Sequence, residues 1–216
     1  MELLLQLIDF VLHIDVHLDA IIRDYGTWTY AILFLIIFCE TGLVVTPILP
    51  GDSLLFAAGA FAARGSLDPV ALFVLLALAG ILGDSVNYSI GHYLAPRAEK
   101  GFRFVKKEYL DRTHAFYEKH GGKTIVIARF IPIVRTFAPF VAGIGAMNYR
   151  TFIVFNVTGA LLWVSIFVFG GYFFGTMPVV EERFELVILA IILLSVLPGI
   201  IEVARHRLRR RGTVNP

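Results

Sequence analysis

The sequence predicts an all-α membrane protein. It reads as an inverted repeat of a re-entrant helical hairpin plus a transmembrane helix, preceded by an amphipathic helix and followed by a last transmembrane helix. Three observations carry this. The 216-residue chain is 57% hydrophobic and 17% charged, with mean hydropathy +0.77. A soluble domain has about 45–50% apolar and about 25% charged residues. The charges fall mostly between apolar blocks, and a broken apolar run followed by a long apolar span occurs twice.

Residues 1–24 form the amphipathic helix. Leu3, Leu7, Phe10, Ile14, Leu18 and Ile21 recur at helical spacing, with Gln6, Asp9, His13 and His17 on the polar side. It lies along the membrane surface or packs on the protein itself. It is not expected to be a cleavable signal, because Glu2 follows Met1 and Asp9, Asp15 and Asp19 interrupt the apolar run.

Repeat 1 covers 25–95. Two uncharged runs, Tyr25 to Cys39 and Ser53 to Ala63, flank Thr46-Pro47-Ile48-Leu49-Pro50-Gly51. A span needs about 20 apolar residues, so neither run is long enough. Two short runs joined at a Pro/Gly break read as a hairpin that enters the membrane and returns. Non-helical backbone at that depth must be buried in protein or face water. Residues 69–95 are a full span with one acid, Asp84.

Residues 96–123 form a charged loop with eight basic and four acidic residues. Repeat 2 covers 124–180. Arg129, Pro132, Arg135, Pro139, Gly143 and Gly145 break its first part, and Thr151 to Val180 is uncharged. An acidic link, Glu181-Glu182-Arg183-Phe184-Glu185, precedes a last span at 186–203 and the basic tail 204–216. The whole chain, 1–216, is one membrane domain.

The positive-inside rule places the loop 96–123 and the C-terminal tail in the cytoplasm. The first hairpin then begins and ends outside, and the second begins and ends in the cytoplasm. The two halves share sequence traces. Gly80, Asp84, Gly91 and Tyr93 match Gly159, Trp163, Gly170 and Tyr172 at one offset. Phe56-Ala57-Ala58-Gly59 resembles Phe140-Val141-Ala142-Gly143 at a slightly longer one. Gly-rich apolar segments also match by coincidence, but inverted repeats of broken helices are characteristic of transporters.

Five ionisable residues fall at membrane depth: Glu40, Asp52, Asp84, Arg129 and Arg135. Each costs about 2.5–3.5 kcal/mol at a helix centre, so they must pair or face a water-filled cavity. Opposed hairpins would bring Glu40 and Asp52 toward Arg129 and Arg135. Such pairs could simply hold the hairpins together. Guanidinium forks also match phosphate oxygens, which makes Arg129 and Arg135 the candidate substrate-binding residues. Carboxylates that pair with arginine in only one state take up protons in the other, which makes Glu40, Asp52 and Asp84 the candidate proton-coupling residues. Asp84 could instead bond Asn87 and Tyr88 on its own helix.

Other features carry less. His13 and His17 share a helical face, but two ligands make no metal site. Trp28 and Trp163 read as packing or lipid-facing residues. The single cysteine, Cys39, allows no internal disulfide. A net charge of +2 argues against a general nucleic-acid partner. No HExxH, Walker or GxSxG motif is present. No enzyme activity, catalytic residue, metal or cofactor is expected.

The motifs Glu40, Pro47…Pro50-Gly51-Asp52, Gly83-Asp84…Tyr88…Gly91 and, most specifically, Ala128-Arg129-Phe130-Ile131-Pro132-Ile133-Val134-Arg135-Thr136-Phe137-Ala138-Pro139 resemble those of the DedA family, also called the SNARE-associated or VTT-domain family. The resemblance covers roughly residues 25–175. It implies two re-entrant hairpins and lipid translocation. It also implies movement of undecaprenyl phosphate across the cytoplasmic (inner) membrane tied to the proton motive force, while eukaryotic relatives resemble phospholipid scramblases. The family's functional positions fall on Glu40, Asp52, Arg129 and Arg135. Asp52 stands where many members have Glu, and Ala95 where Gly is common.

The expected function is therefore flipping of a polyprenyl phosphate, with this or another anionic lipid as partner and a homo-oligomer left open. A proton-coupled carrier of a small ion, a phospholipid scramblase and a structural or assembly protein are the alternatives.

Overall fold

The structure is a computed structural model that describes residues 13–43, 51–99, 121–145, 147–195 and 197. The Pro/Gly break at 44–50, most of the basic loop, the first twelve residues and the tail lie outside the described residues. All regular structure among the described residues is helical.

Helix α1 is Ile14–Tyr25. Ile14 and Leu18 are buried in the main core, so this part of the N-terminal segment packs on the protein. His13 faces Glu185 at 3.4 Å, which fastens the start of α1 to the acidic link. Gly26, at φ 51°, turns the chain into α2, Trp28–Gly42. Helix α3 is Gly51–Ala63 and is buried along almost its whole length. It ends in a Schellman motif. Gly65 adopts φ 81°, and the Ser66 and Gly65 amides donate to Phe61 and Ala62, satisfying carbonyls that the helix end leaves open.

Helix α4, Pro69–Glu99, starts where Asp68 Oδ1 accepts the Ala71 amide at 2.7 Å. Pro69 suits the first helical position because no N–H is needed there. Its stretch Pro69–Ala95 is long and apolar enough to cross a membrane. Val70, Val74, Leu78, Leu82, Val86 and Ile90 face outward at every fourth position, while Asp84 and Asn87 are buried. Apolar residues outside and polar ones inside is the arrangement expected of a helix in lipid rather than water.

Helix α5, Lys123–Ala128, and helix α6, Pro132–Ile144, are separated by a break at Arg129–Ile131. Proline disfavours the α conformation in the residue before it, and Ile131 is extended (φ −120°, ψ 104°). Helix α7, Tyr149–Phe174, is the second element able to cross a membrane. Asn148 caps it by accepting the Arg150 amide at 2.8 Å. The uncharged stretch continues to Val180, but the helix does not: a turn at Gly175–Met177 precedes the short helix α8, Pro178–Glu181. Helix α9, Phe184–Ser195, is the described part of the last apolar segment.

Within α7, Ser165–Phe169 is π-helical. A π turn accommodates one extra residue without breaking the helix. Its effect shows in two helix crossings. Gly91 on α4 sits against the Phe140 carbonyl, with the Ile144 amide 3.2 Å from where a Cβ would stand. Gly171 on α7 sits in the same way against the Phe56 carbonyl, with the Ala60 amide 3.1 Å from that point. The glycine whose surroundings resemble those of Gly91 is Gly171, one residue beyond the Gly170 that a constant offset selects, and the π turn lies between Trp163 and Gly170.

Helix α2 packs on α4 and α5 packs on α7, whereas α3 packs on the C-terminal part of α7 and α6 packs on α4. Two apolar clusters result. One gathers Leu33, Ile37, Leu55, Leu72, Leu76, Trp163 and Val168. The other gathers Tyr88, Ile125, Ala138 and Phe152. Along α4 the buried Asp84 falls between Leu76 and Tyr88. Along α7 the buried Asn156 falls between Phe152 and Trp163.

Candidate functional site

The five ionisable residues singled out in the sequence are all buried, none more than 7% exposed. Their pairing differs from the expected one. Arg135, one turn into α6, holds two acids: Nη1 donates to Asp52 Oδ1 at 2.6 Å and Nη2 donates to Glu40 Oε1. The fork of a guanidinium makes this possible, since its two arms diverge to two acceptors. Glu40 comes from the last turn of α2 and Asp52 from the first turn of α3.

Arg129 bonds neither Glu40 nor Asp52. Its Nη2 pairs with Asp84 Oδ2 on α4 and donates to Asn156 Oδ1 on α7 at 2.8 Å. Asp84 therefore bonds neither Asn87 nor Tyr88. Asn87 instead donates to the carbonyls of Thr41 at 3.1 Å and Thr136 at 2.8 Å, and the Tyr88 hydroxyl donates to the Met147 carbonyl. The cause is the extended break before Pro132. It aims Arg129 at the spans and places Arg135 a helix turn beyond it, toward Glu40 and Asp52.

Three residues of the site escaped the sequence reading. Trp163 is fully buried. Its Nε1 donates to Asp52 Oδ1 at 2.8 Å, and its ring lies 5.6 Å from the Arg129 guanidinium and 5.0 Å from that of Arg135. A cation this close to an indole is attracted by the ring. Ser195 on α9 donates to Asp52 Oδ2 at 2.7 Å. Asn156 completes Arg129 and donates in turn to the Ile81 carbonyl at 3.0 Å. A signal existed for two of them: Trp163 matches Asp84 at the repeat offset, and Asn156 is a lone amide in an uncharged span. Nothing in the sequence marked Ser195.

Several polar atoms of this cluster have no hydrogen-bond partner among the described residues. They are Glu40 Oε2, Ser53 Oγ, Asp84 Oδ1, Asn87 Oδ1 and Arg129 Nη1. Each such buried group costs about 1–3 kcal/mol, more where it is charged. Gly51 lies so close to the Glu40 carboxyl that a Cβ there would collide with it. Among the described residues no group of three or more His, Cys, Asp or Glu could hold a metal. Outside the cluster, Arg64 pairs with Glu181 at 2.9 Å and joins the exit of α3 to the acidic link.

The sequence matches the VTT domain family over residues 49–173. It is 57% identical to Protein DedA of Escherichia coli strain K12 over 96% of each chain. An uncharacterized membrane protein of Mycobacterium tuberculosis strain H37Rv is 42% identical over 87% of this chain and 85% of its own. Inner membrane protein YqjA of Escherichia coli strain K12 is 36% identical over 83% of this chain and 82% of its own. No solved structure matches the chain significantly. A family match spanning more than half the sequence, near full-length identity to such relatives and a buried charge cluster inside apolar-faced helices agree: this chain is a membrane protein of the VTT-domain, or DedA, family.

Proposed function

We propose that this protein is a transporter rather than an enzyme, and that it moves a polyprenyl phosphate, undecaprenyl phosphate in the first instance, across the inner membrane in dependence on the proton motive force. The carrying observation is that two guanidiniums, Arg129 and Arg135, are buried and held mainly by other side chains. Side-chain partners can be exchanged for phosphate oxygens without disturbing a helix ladder. Arg129 Nη1 has no partner among the described residues, which suits it to receive such an oxygen. The apolar tail would stay in the bilayer while only the headgroup crosses.

The architecture behind this reading is a pair of inversely oriented repeats, each a re-entrant hairpin plus a span. The recurrent crossings Gly91–Phe140 and Gly171–Phe56 support it. So does the exchange by which α3 packs on the second span and α6 on the first. The basic loop and tail would face the cytoplasm. Acids on the first hairpin hold an arginine of the second, so protonation at that contact would loosen the hairpins from one another and release an arm of the fork. The DedA family's association with undecaprenyl phosphate, together with guanidinium–phosphate complementarity, favours this lipid over a small soluble ion.

The test is reconstitution into liposomes with labelled undecaprenyl phosphate, with and without an imposed pH gradient. Gradient-dependent movement that Arg129→Lys and Arg135→Lys each reduce at least about tenfold in folded protein supports the reading. Movement unchanged in both variants removes it.

A further inference from the structure

We propose that Trp163 and Ser195 are positioning residues that hold Asp52 as a fixed anion, leaving Glu40 as the acid that carries the proton of the buried cluster. Nothing in the sequence marked Ser195, and nothing there separated Glu40 from Asp52 in role.

Charge counting comes first. Among the described residues, three carboxylates, Glu40, Asp52 and Asp84, share the buried region with two guanidiniums, Arg129 and Arg135. With every acid ionised the cluster carries one surplus negative charge, which a low-dielectric interior strongly disfavours. Among the described residues Asp84 is the one acid paired with Arg129, so that pair is balanced. Arg135 faces both Glu40 and Asp52. The surplus therefore belongs to Glu40 and Asp52, and one proton on either removes it.

Hydrogen bonding decides between them. Asp52 accepts from three donors on three elements: Arg135 at 2.6 Å, Trp163 at 2.8 Å and Ser195 at 2.7 Å. Both its oxygens are used, and donors of this kind favour a carboxylate over a carboxylic acid. Among the described residues Glu40 accepts only from Arg135, and its Oε2 has no partner. Helix polarity acts in the same direction. Asp52 lies in the first turn of α3, where the helix dipole favours an anion, and Glu40 lies in the last turn of α2, where it opposes one. The charged groups that face Glu40 from the elements packed around it are Arg135, Asp52 and Asp84.

The step is a proton exchange with water. On release the O–H bond of Glu40 breaks, its electron pair stays on the carboxylate, water takes the proton, and the cluster passes from neutral to one negative charge. On uptake Glu40 becomes a weaker competitor for Arg135, and a phosphate oxygen can take its place. That use rests on the transport reading; the assignment of the proton does not.

The experiment is infrared spectroscopy of the purified full chain in detergent at neutral pH, where exposed carboxyls are ionised. Protein is prepared with isotopically labelled Glu carboxyls or labelled Asp carboxyls. A protonated-carboxyl band that moves with the Glu label, ignores the Asp label and disappears in Glu40→Gln is the expected result. In Trp163→Phe and Ser195→Ala part of that band should become sensitive to the Asp label, a change that loss of packing alone would not produce. A band that follows the Asp label in the wild type, or no such band, overturns the assignment to Glu40. A band that stays insensitive to the Asp label in both variants overturns the roles of Trp163 and Ser195. Labelled wild type decides the main point even if a variant fails to fold. Because no lipid is present, a failed transport assay and a failed assignment remain separate results.

Discussion

The carboxylate of Asp52 accepts the indole N–H of Trp163 at 2.8 Å, although Asp52 opens α3 and Trp163 lies far along α7. The same ring lies against both buried arginines. Trp163 is therefore the shared neighbour of two ion-pair groups that do not contact each other through a hydrogen bond: Arg129 with Asp84, and Arg135 with Glu40 and Asp52.

Removing one member of the Arg129–Asp84 pair should strand the other. Asp84→Asn and Arg129→Met are each expected to cost about 3–5 kcal/mol, the scale for breaking a buried pair. Replacing both, as Asp84→Leu with Arg129→Met, should recover much of that loss. Denaturant or thermal unfolding in detergent measures all three. Equal loss in the double variant and the singles would contradict the pairing.

The π turn makes a sharp prediction about neighbouring glycines. A Cβ at Gly171 would strike the Phe56 carbonyl, while one at Gly170 would meet only the edge of the Phe56 ring, 3.9 Å away. Gly171→Ala should destabilise the fold by about 1–3 kcal/mol, the usual cost of overpacking, and Gly91→Ala should do the same at its own crossing. Gly170→Ala should be nearly neutral. Melting temperatures of the three variants check this, and the reverse order at Gly170 and Gly171 would refute the one-residue shift.

Asn87 ties the end of α2 to α6 through the carbonyls of Thr41 and Thr136. Thr41 lies in the last turn of its helix, where carbonyls lack intrahelical donors. Asn87→Leu should cost roughly 1–3 kcal/mol for each carbonyl left unsatisfied. Unfolding measurements should show that loss, and Asn87→Gln should not restore it, because the longer side chain displaces the amide.

Much of the site was legible in the sequence, for physical reasons. Charges at membrane depth stand out because each is costly, so Glu40, Asp52, Asp84, Arg129 and Arg135 could be named from spacing alone. Pro132 announced the break between the arginines. Which acid meets which arginine was not legible, because the extended Ile131 sends two residues of one short segment in different directions. Trp163 read as packing because an indole is mostly apolar surface, and only the fold shows where its single donor points. The π turn left no trace in composition, since its residues, Ser165–Phe169, are those of any apolar helix.

The Arg64–Glu181 pair, at 2.9 Å, joins the end of α3 to the acidic link. Both should therefore lie on one side of the membrane, opposite the basic loop. In a Cys39→Ser background, Ser66→Cys and Glu182→Cys should react with an impermeant thiol reagent added outside intact cells. Asp111→Cys should react only after the membrane is opened. Reaction of Ser66→Cys and Glu182→Cys from opposite sides would contradict the topology.

The most direct measurement is the flux of labelled undecaprenyl phosphate in liposomes containing the full chain, compared between wild type, Arg129→Lys and Arg135→Lys. Loss of one charge-assisted hydrogen bond, worth about 1.5–3 kcal/mol, corresponds to a flux reduced roughly 10–150-fold, with the wild-type flux responding to an imposed pH gradient. Wild-type flux no greater than that of empty liposomes, or equal flux in all three proteins when each is folded, would contradict the proposal that these buried guanidiniums carry a lipid phosphate.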